Sequence, residues 1–409
     1  MSCTIRGARL VDAAGDLSAG DLSFEGASIT AVNAVSDRSD MPPIASLVAE
    51  PGEMIDAADL IVMPGFIDVH THGGGGFNLH TSDADEIRAY ARWAPTTGVT
   101  AFLLGVVGSP GALPEAQLIA AVDAIERPDG GAQALGIHLE GPFINERRRG
   151  AHPTIWLRTP TSQETERVLM LTKGHLRIVT LAPELPGADA MIHRLVEAGV
   201  TVSLGHSDAT YEQALEAVRL GVTHVTHCYN AMRPLLHRDP GPLSALSESP
   251  AVRGEIIADG IHVHPAMMRA LLKLIGPERA IIITDALAGA GTEDGTFEFG
   301  GQTARVIRGA ARLADGTITG SVLTMDQALR NVLRMTGVSL SEASAMLSRN
   351  PARAARVDET KGLLQPGYDA DLVVLDSALT VQASYCRGEL AFATDAWRVR
   401  VDASGVIAK

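Results

Sequence analysis

Eight short apolar runs set the architecture of this chain. They span residues 65–70, 99–105, 134–139, 177–182, 200–204, 222–226, 254–258 and 280–284. Each has the length of a buried strand and is too short for a packed helix. Amphipathic stretches with helical periodicity separate them, among them 83–94, 114–125, 188–198 and 209–220. Strand–helix alternation returns each strand parallel to the one before it. Eight such units predict an α/β fold with a TIM-like (β/α)8 barrel, a loop-rich doubly wound sheet being the alternative. The flanks have a different texture. Runs such as 8–11, 27–32 and 371–375 lie between Gly, Asp and Ser turns, the pattern of short strands. They predict a small β-sandwich domain built from both termini, residues 1–62 and 358–409, around a catalytic barrel of residues 63–357. Stretches 321–336 and 341–349 read as helices that close the barrel.

Composition narrows the function. With 46% hydrophobic and 20% charged residues the chain can bury a large core. A net charge of −14 excludes nucleic acid or an anionic membrane as the main partner. It leaves room for a local basic pocket that takes one small anion. Cys3, Cys228 and Cys386 are far apart and match no CxxC spacing, so neither a disulfide framework nor a cysteine zinc site is expected. The start of the chain lacks the apolar stretch of a secretory signal, and no run approaches the ~18 residues of a membrane span. A cytoplasmic protein is the expectation.

In such a barrel the chemistry sits at the C-terminal ends of the strands. The first run ends in His70-Thr71-His72 and the third in His138-Leu139-Glu140. The fifth leads to His206, the sixth to His227, the seventh to Asp259 and His262, and the eighth to Asp285. Neutral imidazoles and carboxylates are ligands for divalent first-row metals. Glu140, His206 and His227 form a three-ligand set that leaves a position for water, whose pKa falls to ~7 on zinc. His70 and His72 build a neighbouring second position, with Glu140 or water between. Asp285 is the natural carboxylate to move the water's proton. A single histidine is more often a core residue than a ligand, but the placement of these at successive strand ends favours ligands. His138 and His224 alternate away from the ends and read as structural; Asp68 reads as a partner behind a metal-bound imidazole. His264 is open between the barrel mouth and a helix start.

The segment Pro64-Gly65-Phe66-Ile67-Asp68-Val69-His70-Thr71-His72 resembles the opening metal motif of the amidohydrolase superfamily. An ordered set of further motifs follows: Gly136-Ile137-His138-Leu139-Glu140-Gly141-Pro142-Phe143, Arg149-Gly150-Ala151-His152, Gly205-His206-Ser207, Thr226-His227-Cys228-Tyr229-Asn230-Ala231-Met232, Ala258-Asp259-Gly260-Ile261-His262 and Thr284-Asp285-Ala286. Within that superfamily they resemble the N-acetylglucosamine-6-phosphate deacetylase family, from about Val62 to Val373. The resemblance implies a divalent metal cofactor, one or two ions, zinc first, with iron, manganese and cobalt as alternatives. It implies Glu140, His206 and His227 on the main ion, His70 and His72 on a second, and Asp285 and His152 in catalysis. Ala151, His152, Asn230 and Ala231 would hold the sugar, and Arg238 and His262 the 6-phosphate. It implies a homodimer in which the Arg238 loop reaches the neighbouring site. Arg149 stands where the family is expected to have lysine, and the superfamily's bridging carboxylated lysine has no counterpart, Glu140 taking that role. The implied reaction converts a phosphorylated amino sugar, N-acetyl-D-glucosamine 6-phosphate, to D-glucosamine 6-phosphate and acetate in amino-sugar catabolism. The alternatives are the galactosamine epimer, an N-acyl or cyclic amide, and an inactive barrel scaffold.

Overall fold

The apolar runs form one parallel eight-strand sheet in the computed structural model, which describes residues 2–35 and 53–407. Its strands are β1 (Phe66–Thr71), β2 (Val99–Val106), β3 (Gln133–Glu140), β4 (Leu176–Leu181), β5 (Thr201–Leu204), β6 (His224–Val225), β7 (Arg253–Ile257) and β8 (Ala280–Ile283). They lie in chain order, each paired in parallel with the next. Both faces of the sheet are covered, which is why the strands are apolar almost throughout. The sheet rolls into a nearly closed barrel. At the seam the Asp285 N–H donates to the His70 carbonyl and the His72 N–H to the Ala286 carbonyl, both at 2.8 Å.

A polar layer fills the barrel beneath its mouth. The His138 Nδ1–H donates to the Val69 carbonyl at 3.0 Å, and Nε2 lies 2.8 Å from Thr180 Oγ1. The Thr226 hydroxyl is 2.7 Å from that of Thr180 and 2.5 Å from that of Ser203. Burial pushes His138 down to about 3, so it stays neutral and structural, as its strand alternation predicts. Gly205 closes the layer. A Cβ there would lie 2.7 Å from both Thr180 Cγ2 and Thr226 Cβ.

Helices Ala84–Trp93, Glu115–Glu126, Ala188–Glu197 and Tyr211–Leu220 form where the periodicity puts them. Thr210 and Gln213 make a reciprocal capping box on the last of these. The helix expected from residue 321 begins instead at Met325. Ser321 is held extended against the barrel, its N–H donating to the Asp285 carbonyl at 2.6 Å. The second closing helix runs as Leu340–Ser344, a π-helical turn at Ala345–Arg349, and Asn350–Ala354. Strands from both termini share one mixed sheet, in the order Glu389–Ala393, Val381–Cys386, Leu372–Leu375, Ile61–Pro64, Ser2–Asp12, Gly15–Glu25 and Ser28–Ala34. Tyr385 packs edge-on against Phe24 at 5.4 Å and Trp397 at 6.3 Å in that domain's core. An antiparallel insertion, Thr296–Phe299, Gln302–Ile307 and Ala310–Arg312, packs on Trp156 and Leu287.

Gly205→Ala forces a methyl into the filled threonine layer. It is expected to destabilise the fold by about 1–3 kcal/mol, read as a lower urea midpoint; an unchanged midpoint would show that the layer has slack.

Candidate active site

Where the strands end, the backbone turns sharply. His206, His227 and Asp285 take φ values of 48°, 27° and 48°, and Tyr229 and Ala231 take 76° and 48°. Non-glycine residues pay for this region with strain of order 1–3 kcal/mol each, and such strain concentrates at functional sites.

Five of the histidines singled out in the sequence converge on two carboxylates. Glu140 Oε1 lies 3.0 Å from both His206 Nε2 and His227 Nε2, and these nitrogens are 3.0 Å apart. His70 Nε2 is 3.4 Å from the same oxygen. Glu140 Oε2 faces His72 Nε2 at 3.2 Å and His152 Nε2 at 3.6 Å. Asp285 Oδ1 is 3.3 Å from His72 Nε2 and 3.7 Å from His70 Nε2. The Glu140 carboxylate therefore stands between two groups of imidazoles, the placement a bridging ligand needs.

For three of these rings, His70, His72 and His206, the outer nitrogen is engaged. His70 Nδ1 lies 2.9 Å from Glu255 Oε2, His206 Nδ1 donates to the Arg148 carbonyl at 2.8 Å, and His72 Nδ1 to the Gly105 carbonyl at 3.3 Å. A neutral ring bonded outward in this way turns a bare Nε2 lone pair onto a carboxylate. The Nε2 atoms of His70 and His72 are buried with no hydrogen-bond partner among the described residues. Lone pairs facing carboxylates repel unless a proton or a cation stands between them. The spacing suits a cation: tetrahedral zinc with bonds of about 2.0–2.1 Å spaces its ligands by about 3.3 Å. Two triads, His70–His72–Asp285 and Glu140–His152–His206, each bring their ligand atoms within 4.8 Å of one another. The donor set thus fits one or two divalent ions.

Charge in the cluster is tightly balanced. Burial disfavours ionisation of Glu140, but the charge of His70 and the polar contacts of the His152, His206 and His227 rings outweigh it and hold the carboxyl well below its ordinary range. The Asp285 carboxyl is likewise lowered against burial, chiefly by His70 and His72. Burial works against the His72 imidazolium, yet the Asp285 and Glu140 carboxylates facing it raise the ring to about 9. For His206 burial wins and the ring falls to about 4. Asp68 lies beneath, its Oδ1 accepting from the His70 N–H at 3.3 Å and its Oδ2 from the Thr284 hydroxyl at 2.6 Å.

A cavity of about 190 Å³ opens over this cluster, bounded by Ala151, His152, Asn230, Ala231 and His262. The His262 Nδ1–H meets Asp259 Oδ2 at 2.6 Å. Burial opposes charge on this ring, but the Asp259 bond prevails and raises its pKa. Arg149 braces the loop, donating to the His152 carbonyl at 2.8 Å. Arg238 is not brought in; it is exposed on its loop and does not bound the cavity. His264 caps the helix Pro265–Ile275. Phe299 and Thr319 also bound the cavity, and Glu255 lies behind His70. Sequence reasoning missed all three; the one available signal was a lone carboxylate, Glu255, in an otherwise apolar strand.

Residues 61–401 match the amidohydrolase family. The N-acetylglucosamine-6-phosphate deacetylase of Lysinibacillus sphaericus is 34% identical over 84% of this chain and 88% of its own length. The N-acetylgalactosamine-6-phosphate deacetylase of Escherichia coli O157:H7 is 37% identical over 85% of this chain and 92% of its own. A solved structure of the Mycobacterium smegmatis N-acetyl-D-glucosamine-6-phosphate deacetylase, in complex with N-acetyl-D-glucosamine-6-phosphate, matches with a TM-score of 0.87 and 36% identity, covering 96% of this chain and 99% of that one.

Two outcomes follow from the geometry. Glu255→Gln loosens His70 and should lower metal affinity about 10–100-fold in chelator competition; full affinity would mean that Glu255 does not orient the ring. Without an ion His72, held at about 9, keeps its proton at neutral pH, and an entering ion must displace it. Affinity should therefore climb between about pH 6 and about pH 8, by about tenfold per unit for each proton released. A flat profile would show that the ring already holds a bare lone pair before the ion enters.

Proposed function

Because the chain belongs to the amidohydrolase family, we propose that it is a metal-dependent deacetylase. Its substrate is N-acetyl-D-glucosamine 6-phosphate and its products are D-glucosamine 6-phosphate and acetate. The observation that carries this reading is the set of imidazoles turned onto Glu140 and Asp285 at the floor of a cavity that also presents His262. The relatives named for this activity support it across most of the chain.

Glu140, His206 and His227 would hold the main ion, and His70 and His72, with Asp285 beside them, a second. Zinc is the first candidate, with iron, manganese and cobalt as alternatives for the same donors. A divalent ion bound there lowers the pKa of water and polarises an amide carbonyl. Asp285, ionised because His70 and His72 hold its pKa down, accepts the attacking water's proton and passes it to the departing amine. His152 Nδ1 is buried without a partner among the described residues, and the ring bounds the cavity; it turns to hydrogen-bond the acetamide oxygen as negative charge builds there. The Asn230 amide is tied to the His227 and Cys228 carbonyls at 3.3 and 3.2 Å, which leaves its oxygen for a sugar hydroxyl. Ala151 and Ala231 offer backbone at the cavity wall. His262, favoured as imidazolium by Asp259, meets the 6-phosphate. Arg238, exposed away from its own cavity, serves the phosphate of a neighbouring subunit, which makes the enzyme a homodimer. The buried free cysteines suit a reducing cytoplasm.

A second reading, deacetylation of N-acetylgalactosamine 6-phosphate, rests on the 37% identical relative of that name. The two substrates differ in one hydroxyl.

Asp285→Asn should keep fold and metal content but lower turnover about 10²–10⁴-fold. The experiment is acetate release by the metal-loaded enzyme from phosphorylated and free N-acetyl hexosamines. Near-normal turnover by the variant would sink the acid–base assignment, and equal rates on free sugars would sink the phosphate pocket.

A further inference from the structure

We propose that the opposite, N-terminal end of the barrel carries a second binding site, for a small oxyanion of the phosphate class. A cavity of about 260 Å³ lies there. Thr201 begins β5, Thr223 precedes β6, His224 begins β6 and Arg253 begins β7; Arg353 and Arg356 complete the wall from the end of the helix Asn350–Ala354. Among the described residues no carboxylate bounds this cavity. β7 runs from Arg253 to Ile257, which puts about 16 Å of strand between this floor and the mouth, where the next turn presents Asp259 and His262.

The charge here runs against the rest of the molecule. The chain has 48 acidic residues for 34 basic ones, and several of its arginines elsewhere find carboxylates: Arg9 with Asp16, Arg167 with Glu115, Arg194 with Glu166. Among the described residues Arg253 and Arg356 make no side-chain hydrogen bond or ion pair. Arg353 has one loose contact, 3.7 Å to Asp358, with both side chains well exposed. Arg349 stands close by, its Nε and Nη2 3.4 Å from Asn350 Oδ1. Burial and then the charge of Arg353 lower the pKa of both Arg253 and Arg349, and Asp358 on the former and Asp12 and Glu278 on the latter offset this only in part. Guanidinium groups packed so that they repel each other are relieved by an anion between them. Their forked N–H geometry matches the oxygens of phosphate, with a threonine hydroxyl as a further donor. The cavity has room for inorganic phosphate or a small phosphate monoester and none for a polyanion.

The test is calorimetric titration of inorganic phosphate into the metal-loaded enzyme, compared with three variants. His262→Ala weakens the phosphate position at the mouth and should leave the floor site's binding intact. Arg253→Gln with Arg356→Gln should weaken that binding about tenfold or more. Arg356→Gln alone, at an exposed side chain, should weaken it measurably and serves if the double variant does not fold. Binding lost in His262→Ala, or unchanged in the arginine variants, would assign phosphate to the mouth and overturn the proposal. No phosphate binding beyond the mouth in any form would overturn it equally.

Discussion

Two carboxylates, Glu140 and Asp285, are buried among imidazoles whose remaining lone pairs point at them, and the barrel's mouth is built around that problem. Burying an unpaired carboxylate is expensive. A proton on each ring would solve it, but the surroundings do not allow one everywhere. His72 is drawn up to about 9 while His206 is pushed down to about 4. The backbone acceptors at Arg148 and Gly105 and the Glu255 carboxylate have already taken the outer nitrogens of His206, His72 and His70. A divalent cation satisfies all of these groups at once, which is why the donor set reads as a metal centre.

Closure of the sheet and construction of this centre are one event. The two hydrogen bonds across the seam between β8 and β1 involve the backbones of His70, His72 and Asp285. Asp68 ties the His70 N–H to the Thr284 hydroxyl across the same seam. Below, the His138–Thr180–Thr226–Ser203 layer fills the interior without offering a competing charge. Above, the insertion 296–312 is joined to the loop carrying His152 by Gln302, which donates to the Ala151 carbonyl at 2.8 Å. A shift in register at the seam would displace His70, His72 and Asp285 along with the strands, so the fold's stability holds the cluster in place.

Much of this was legible because strand ends are legible. An apolar run followed by His206, His227 or Asp285 marks both the end of a strand and the side chain it delivers. Features that depend on distant partners were not. Glu255 sits inside an apolar run, and only the folded barrel shows that it faces His70 and His224. The glycines of the run Gly73–Gly76 are a packing requirement that no local pattern reveals: a Cβ on Gly74 or Gly75 would strike the Trp93 ring at 2.4 Å. The helix expected at residue 321 starts later because a tertiary bond to the Asp285 carbonyl outcompetes local propensity. Arg238 was named from the resemblance alone, since no local pattern says whether a loop turns onto its own barrel or away from it.

Glu255 also explains how the two ends of the barrel are related. One of its oxygens meets His70 Nδ1 and the other His224 Nε2, each at 2.9 Å, and the first also accepts from the His227 N–H at 3.0 Å. His224 in turn forms part of the arginine-lined floor. Burial raises the cost of the Glu255 charge, and His70 and His224 more than offset it. The carboxylate is therefore fixed by one imidazole from each end of the barrel. Rotating His224 away would remove a bond from Glu255 and leave its charge to His70 and the His227 N–H alone, changing the hold on a ring that faces Glu140 and Asp285. The mouth and the arginine-lined floor thus share one buried carboxylate, and the geometry of each end is set partly by the other.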